Sequence, residues 1–71
     1  MLNKEIIINN KREELIKECR RVSRNYGEVS RNRYSTASEN DEAWMEVIKV
    51  DEKIREFNKL YPKYRISSYD I

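Results

Sequence analysis

Apolar side chains along this chain recur at helical spacing. Leu15, Cys19, Val22 and Tyr26 follow one another at four, three and four residues, and at about 100° per residue they fall into one narrow stripe. Ahead of them, Asn10-Lys11-Arg12-Glu13 has the form of an N-cap with an acid three residues later, where the cap side chain takes a free backbone N–H and the Glu reaches back. Gly27 stands where a left-handed residue would end the helix. The pattern predicts helix 1 over about 10–26. A start as early as Asn3, carrying Ile8 on the same stripe, is the alternative.

A second stripe is longer. Ala43, Val47, Val50, Ile54, Phe57 and Tyr61 keep a strict 4-3-4-3-4 spacing until Pro62 closes the element. Thr36-Ala37-Ser38-Glu39 and Ser38-Glu39-Asn40-Asp41 are overlapping cap candidates, and Glu39, Asp41 and Glu42 fall where the positive end of a helix dipole favours acids. Helix 2 is predicted over about 39–61. It covers fewer than three heptads, which suits a hairpin or short bundle as well as a coiled coil.

Between the two lies a polar, Arg-rich connection of about 28–36, read as a loop or as an extension of helix 1 past Gly27. An extended C-terminal tail of 62–71 follows, in which Tyr64, Ile66 and Ser68 alternate with Arg65, Ser67 and Tyr69. That alternation, with Glu5–Ile8 as a second weak strand pattern, would allow a small ribbon pairing the two ends. One glycine and one proline in the whole chain argue against a turn-rich sheet fold. The expected fold is therefore all-α: a two-helix hairpin or small helical bundle over 1–71 as one small domain, with short terminal strands as a variant and a small α+β fold as the alternative.

Composition narrows the chemistry. The 71 residues contain one cysteine and no histidine. An internal disulfide, a Cys/His zinc site and catalysis by a His-activated Ser or Cys are excluded within the chain. No catalytic residue, metal or cofactor is expected. Asp41-Glu42 and Asp51-Glu52 are acidic pairs in a helical stretch without the glycine of a calcium loop, and Cys19 on the apolar stripe reads as a small core hydrophobe. The longest apolar run, Ile6-Ile7-Ile8, is far short of a membrane span, so a cytoplasmic protein with no membrane partner is expected. A chain of this size sits near the limit at which one core suffices. A second chain, in the simplest case a homodimer, is the expected supplement.

Charge is divided unevenly. Residues 1–35 carry nine basic and five acidic side chains, and 36–71 carry six and eight. Lys17, Arg20, Arg21 and Arg24 gather on the side of helix 1 opposite its stripe, and Arg31 and Arg33 extend the basic set into the connection. With Tyr26, Tyr34, Asn25 and Asn32 interleaved, this ridge would suit phosphates and stacked bases or an acidic partner. The competing reading is a solvated face, with Glu13 and Glu14 compensating Lys17, and Glu18 compensating Arg21. On helix 2, Trp44 and Ile48 lie off the main stripe, with Arg55 two turns on. They are either part of a broad core face or the anchors of an interface.

These features predict a small non-enzymatic interaction module that inhibits or bridges a larger protein through Trp44, Ile48 and Arg55. A small nucleic-acid-binding or regulatory protein using the basic ridge is the alternative. The composition, rich in Ile, Lys, Asn, Glu and Tyr, is typical of AT-rich genomes, and the size suits an accessory protein of a phage or mobile element.

Overall fold

A computed structural model describes residues 3–71. Helix α1 spans Lys4–Arg31 and helix α2 spans Ala37–Leu60, followed by two single 3-10 turns, Pro62–Tyr64 and Ser68–Asp70. The two long helices form an antiparallel all-α hairpin, 51 Å in its longest extent, and no strand occurs among the described residues.

Helix α1 takes the longer alternative at both ends, starting behind Asn3 and extending past Gly27, and not the shorter 10–26 span. Asn3, not Asn10, is the N-cap, its side chain accepting the Glu5 N–H at 3.0 Å. Glu5–Ile8, the candidate strand, thus becomes the first turns of the helix. Gly27 does not end it. Among the described residues none takes a positive φ, and the helix runs one further turn because Val29 continues the stripe three residues beyond Tyr26 and is partly buried. Asn32 ends α1, its N–H donating to the Glu28 and Val29 carbonyls. Its side chain then accepts the Tyr34 N–H at 2.9 Å, and its carbonyl accepts from Ser35 N–H at 3.1 Å. This Asx turn reverses the chain. Thr36 caps α2 by accepting the Glu39 N–H at 3.1 Å, which selects the first of the two overlapping cap candidates.

The stripes of α1 and α2 face each other. Leu15, Ile16, Val22, Val50, Ile54, Phe57 and Ile66 form the buried cluster, with Ile8, Cys19, Val47, Tyr61 and Tyr64 packed against it. Cys19, expected in the core, is partly buried and packs against this cluster from its edge. Two members lie outside the expected stripes, Ile16 and Ile66, and both are explained by the tail. Arg12, Ile16 and Arg20 are spaced four apart on one flank of α1. Arg12 Nε donates to the Tyr64 carbonyl at 3.0 Å and Arg20 Nη2 to the Asp70 carbonyl at 2.9 Å, so the tail crosses over Ile16 between them. Ile66, 3% exposed, is the apolar plug of this third layer. Burying a side chain of that size contributes about 1.5–3 kcal/mol.

The tail is therefore neither extended nor paired in a ribbon. Pro62 sets the first 3-10 turn by starting it without an N–H to satisfy. Ser67 and Asp70 close the second as a capping box, Asp70 Oδ2 accepting from Ser67 N–H at 2.8 Å and from its hydroxyl at 3.0 Å. Arg12 reaches the same carboxylate oxygen at 3.1 Å. These interactions hold Asp70 below its ordinary value, chiefly through the Ser67 backbone bond and then the Ser67 hydroxyl, with Arg12 a lesser cause; burial opposes the shift and outweighs either Arg12 contribution taken singly.

Candidate functional site

With the stripes turned inward, the outward faces of α1 and α2 form opposite edges of the hairpin. Lys17, Arg20, Arg21 and Arg24 line one shallow hollow on the α1 edge, together with Asn25 and Glu28. The expected local compensation does not form. Glu18 pairs across the hairpin with Lys53 at 3.3 Å, not with Arg21, and no ion pair among the described residues involves Lys17, Arg21 or Arg24. Three of the six basic residues singled out from sequence are nevertheless engaged elsewhere. Arg20 holds the tail, Arg31 Nε donates back to the Gly27 carbonyl at 2.9 Å, and Arg33 lies 5.9 Å from the Tyr34 ring centre. Arg31 and Arg33 do not line the hollow.

The α2 edge is different. Trp44 lies outside the buried cluster, 48% exposed, with its ring centre 5.2 Å from that of Tyr26 at a 51° tilt. Tyr26 thus braces the indole from the α1 side, and about half of the Trp44 residue stays exposed. Ile48, one turn on, is partly buried. Met45, 51% exposed, completes an apolar arc of about 100° with Trp44 and Ile48. Sequence reasoning missed Met45, although its place beside Trp44 on the wheel was the available signal. It also took Tyr26 only as a stripe residue. Arg55 continues the same edge, its side chain 80% exposed and its Nε 3.1 Å from Asp51 Oδ2. An exposed pair of this kind contributes little to stability.

A groove of about 690 Å³ runs between the helices on the flank away from the tail, rimmed by Glu18, Arg21, Lys49, Lys53 and Glu56. Its floor is already closed: Val22, Val50 and Phe57 are nearly inaccessible. It offers a ligand charged rims and an apolar end at the exposed Leu60 beside Tyr61. No three Asp, Glu or Cys side chains gather to hold a metal ion among the described residues, and no helix among them is long and apolar enough to cross a membrane. The chain matches no family model, no curated protein and no solved structure.

Proposed function

We propose that this chain is a small non-enzymatic interaction module that docks the outward face of α2 on a larger protein, inhibiting it or bridging it to another. The observation that carries this reading is Trp44, half exposed on a core that closes without it and fixed against Tyr26. A large ring held in place before binding loses little freedom on docking, and Trp with neighbouring apolar side chains is the composition of binding hot spots. Arg55 extends the same face as a polar rim.

The reading separates from a core role for Trp44 by experiment. The double variant Trp44→Ala, Met45→Ser removes the apolar arc and leaves the buried cluster intact. Compared with the wild-type chain in a co-purification from the cells that make it, the variant should lose a protein that the wild type retains, while its helical circular dichroism and melting stay close to wild type. Equal retention by both chains, or loss of the helical signal in the variant, would defeat it.

The second reading, a nucleic-acid-binding or regulatory protein, rests on one observation. Lys17, Arg21 and Arg24 share a single hollow and enter no ion pair among the described residues. Glu28 inside the same hollow, and the tail's hold on Arg20, favour the α2 face as the primary surface.

A further inference from the structure

We infer that the larger protein met by the outward face of α2 presents a basic surface around an apolar recess, with Trp44 as the side chain the recess takes in. The inference rests on the reading of α2 as the docking edge and names the chemistry of its partner. The first three turns of α2 carry Glu39, Asp41, Glu42 and Glu46, all exposed, and no lysine or arginine. The attraction of a helix N-terminus for acids fades within the first turn. It accounts for Glu39 and not for the three acids beyond it. None of those three enters an ion pair among the described residues.

The acids border the aromatic anchor. Asp41 stands three residues before Trp44 and four before Met45, one turn ahead of the apolar arc, and Glu52 stands four residues after Ile48, one turn behind it. From Asp41 to Glu52 is about 16.5 Å along the axis, so the indole sits within a short strip that has a carboxylate outside any ion pair at either end. Arg55 does not offset them, because Asp51 faces it at 3.1 Å, and Lys53 is turned across the hairpin to Glu18 at 3.3 Å. With Asp41, Asp51 and Glu52 against Arg55, the face around Trp44 is net negative, the reverse of the α1 edge. Such a face is complementary to Lys and Arg side chains that border an apolar recess, and like charge turns away nucleic acid, anionic lipid and acidic proteins. The contact is small, at the low end of interface sizes. Charge therefore steers the encounter and the buried ring holds it.

Trp44 is the chain's one tryptophan, so its emission reports on the anchor directly. The whole chain is titrated with two tryptophan-free synthetic peptides that form amphipathic helices, one of leucine and lysine and one of leucine and glutamate. The lysine peptide should shift the Trp44 emission to the blue with a Kd between about 1 μM and about 1 mM, weakening at least about threefold from about 50 to about 200 mM salt. The glutamate peptide should leave the emission unchanged. Asp41→Lys with Glu52→Lys should weaken the lysine peptide at least about tenfold, and the uncharged Asp41→Asn with Glu52→Gln should act in the same direction. Glu14→Lys with Glu28→Lys, which makes the same change of net charge on α1, should stay within about twofold of wild type. Circular dichroism verifies that the helices persist in each variant. Three results would overturn the proposal: no emission shift with the lysine peptide up to about 1 mM, equal shifts with both peptides, or folded α2 variants that bind as the wild type or the α1 variant does. The co-purification separates this failure from that of the docking edge. A protein lost from Trp44→Ala, Met45→Ser but kept by Asp41→Asn, Glu52→Gln would leave the edge and remove its basic partner, whereas a protein kept by both would remove the edge itself.

Discussion

Asn58 and Ile66 are joined by two reciprocal hydrogen bonds, Ile66 N–H donating to Asn58 Oδ1 at 2.7 Å and Asn58 Nδ2 donating to the Ile66 carbonyl at 3.1 Å. One amide side chain on α2 thereby satisfies both backbone groups of the tail residue that plugs the core. Asn58→Ala leaves that backbone unpaired at a partly buried position and should cost about 1–3 kcal/mol. Ile66→Ala should cost about 2–5 kcal/mol through lost burial and the cavity left behind. Urea unfolding measures both. Tyr69→Ala, at a fully solvated ring, should stay within about 0.5 kcal/mol of wild type.

Gly27 lies inside α1 without a positive φ, and a Cβ there would meet only the Arg31 guanidinium, Nη2 at 3.4 Å, an ordinary van der Waals contact that leaves its bond to the Gly27 carbonyl in place. Gly27→Ala is therefore expected to stabilise the protein by about 0.5–1 kcal/mol, through helix propensity and a less disordered unfolded chain. Thermal melting should rise by several degrees, at about 4–8 °C per kcal/mol for a domain of this size. A fall in melting temperature would mean that the residue needs the freedom of a left-handed cap.

Gly27 also shows where sequence reasoning stops. The facing stripes of Leu15, Val22, Val50, Ile54 and Phe57 were legible because they repeat at one period, and Thr36 because a cap candidate precedes an acidic turn. The end of α1 was misplaced because one glycine, worth about 1 kcal/mol, outweighed the continuing stripe at Val29. Ile16 and Ile66 were invisible for a different reason. Ile16 lies under the tail and Ile66 belongs to it, and the tail's path is fixed by Arg12 and Arg20 reaching residues 52 and 50 positions away, a distance that no local period encodes. On the surface, Trp44, Ile48 and Arg55 were found as residues off the stripe, while the ring of Tyr26 that positions Trp44 comes from the other helix.

The Asp70 latch makes the tail sensitive to acid. Its carboxyl titrates below the ordinary value of 3.8 when folded, so the folded state holds the proton more weakly than the unfolded chain does. The stabilisation is fully present above the unfolded value, declines as pH falls through it, and is gone below the lower folded value. Two-dimensional NMR of the Ser67 and Asp70 amides between about pH 6 and pH 2 should show the latch opening below the usual carboxylate range. In Asp70→Asn the Ser67 bonds and the Arg12 contact should be weakened at every pH, with that acid step absent.

The hollow of Lys17, Arg20, Arg21 and Arg24 carries its own signature. Should it hold about four phosphates, duplex affinity ought to fall about a hundredfold between 50 and 200 mM salt, from a slope of about −0.9 per phosphate. Fluorescence anisotropy with labelled single- and double-stranded nucleic acid measures it, and Arg21→Glu with Arg24→Glu should abolish the signal. Weak binding that ignores salt and survives those changes would retire the ridge as a phosphate surface.

The tail's place in the chain also bears on kinetics. The α1–α2 hairpin can close outward from the turn at Asn32 through contacts of short and then growing sequence separation, whereas the tail must return across half a hundred residues to reach Arg12 and Arg20. Loop-closure entropy sets that step on the far side of the folding barrier. Stopped-flow measurements should then find that Ile66→Ala and Asn58→Ala steepen the loss of the native state with little change in its rate of formation. The last layer to dock would govern how long the fold survives, and the two helices how quickly it appears.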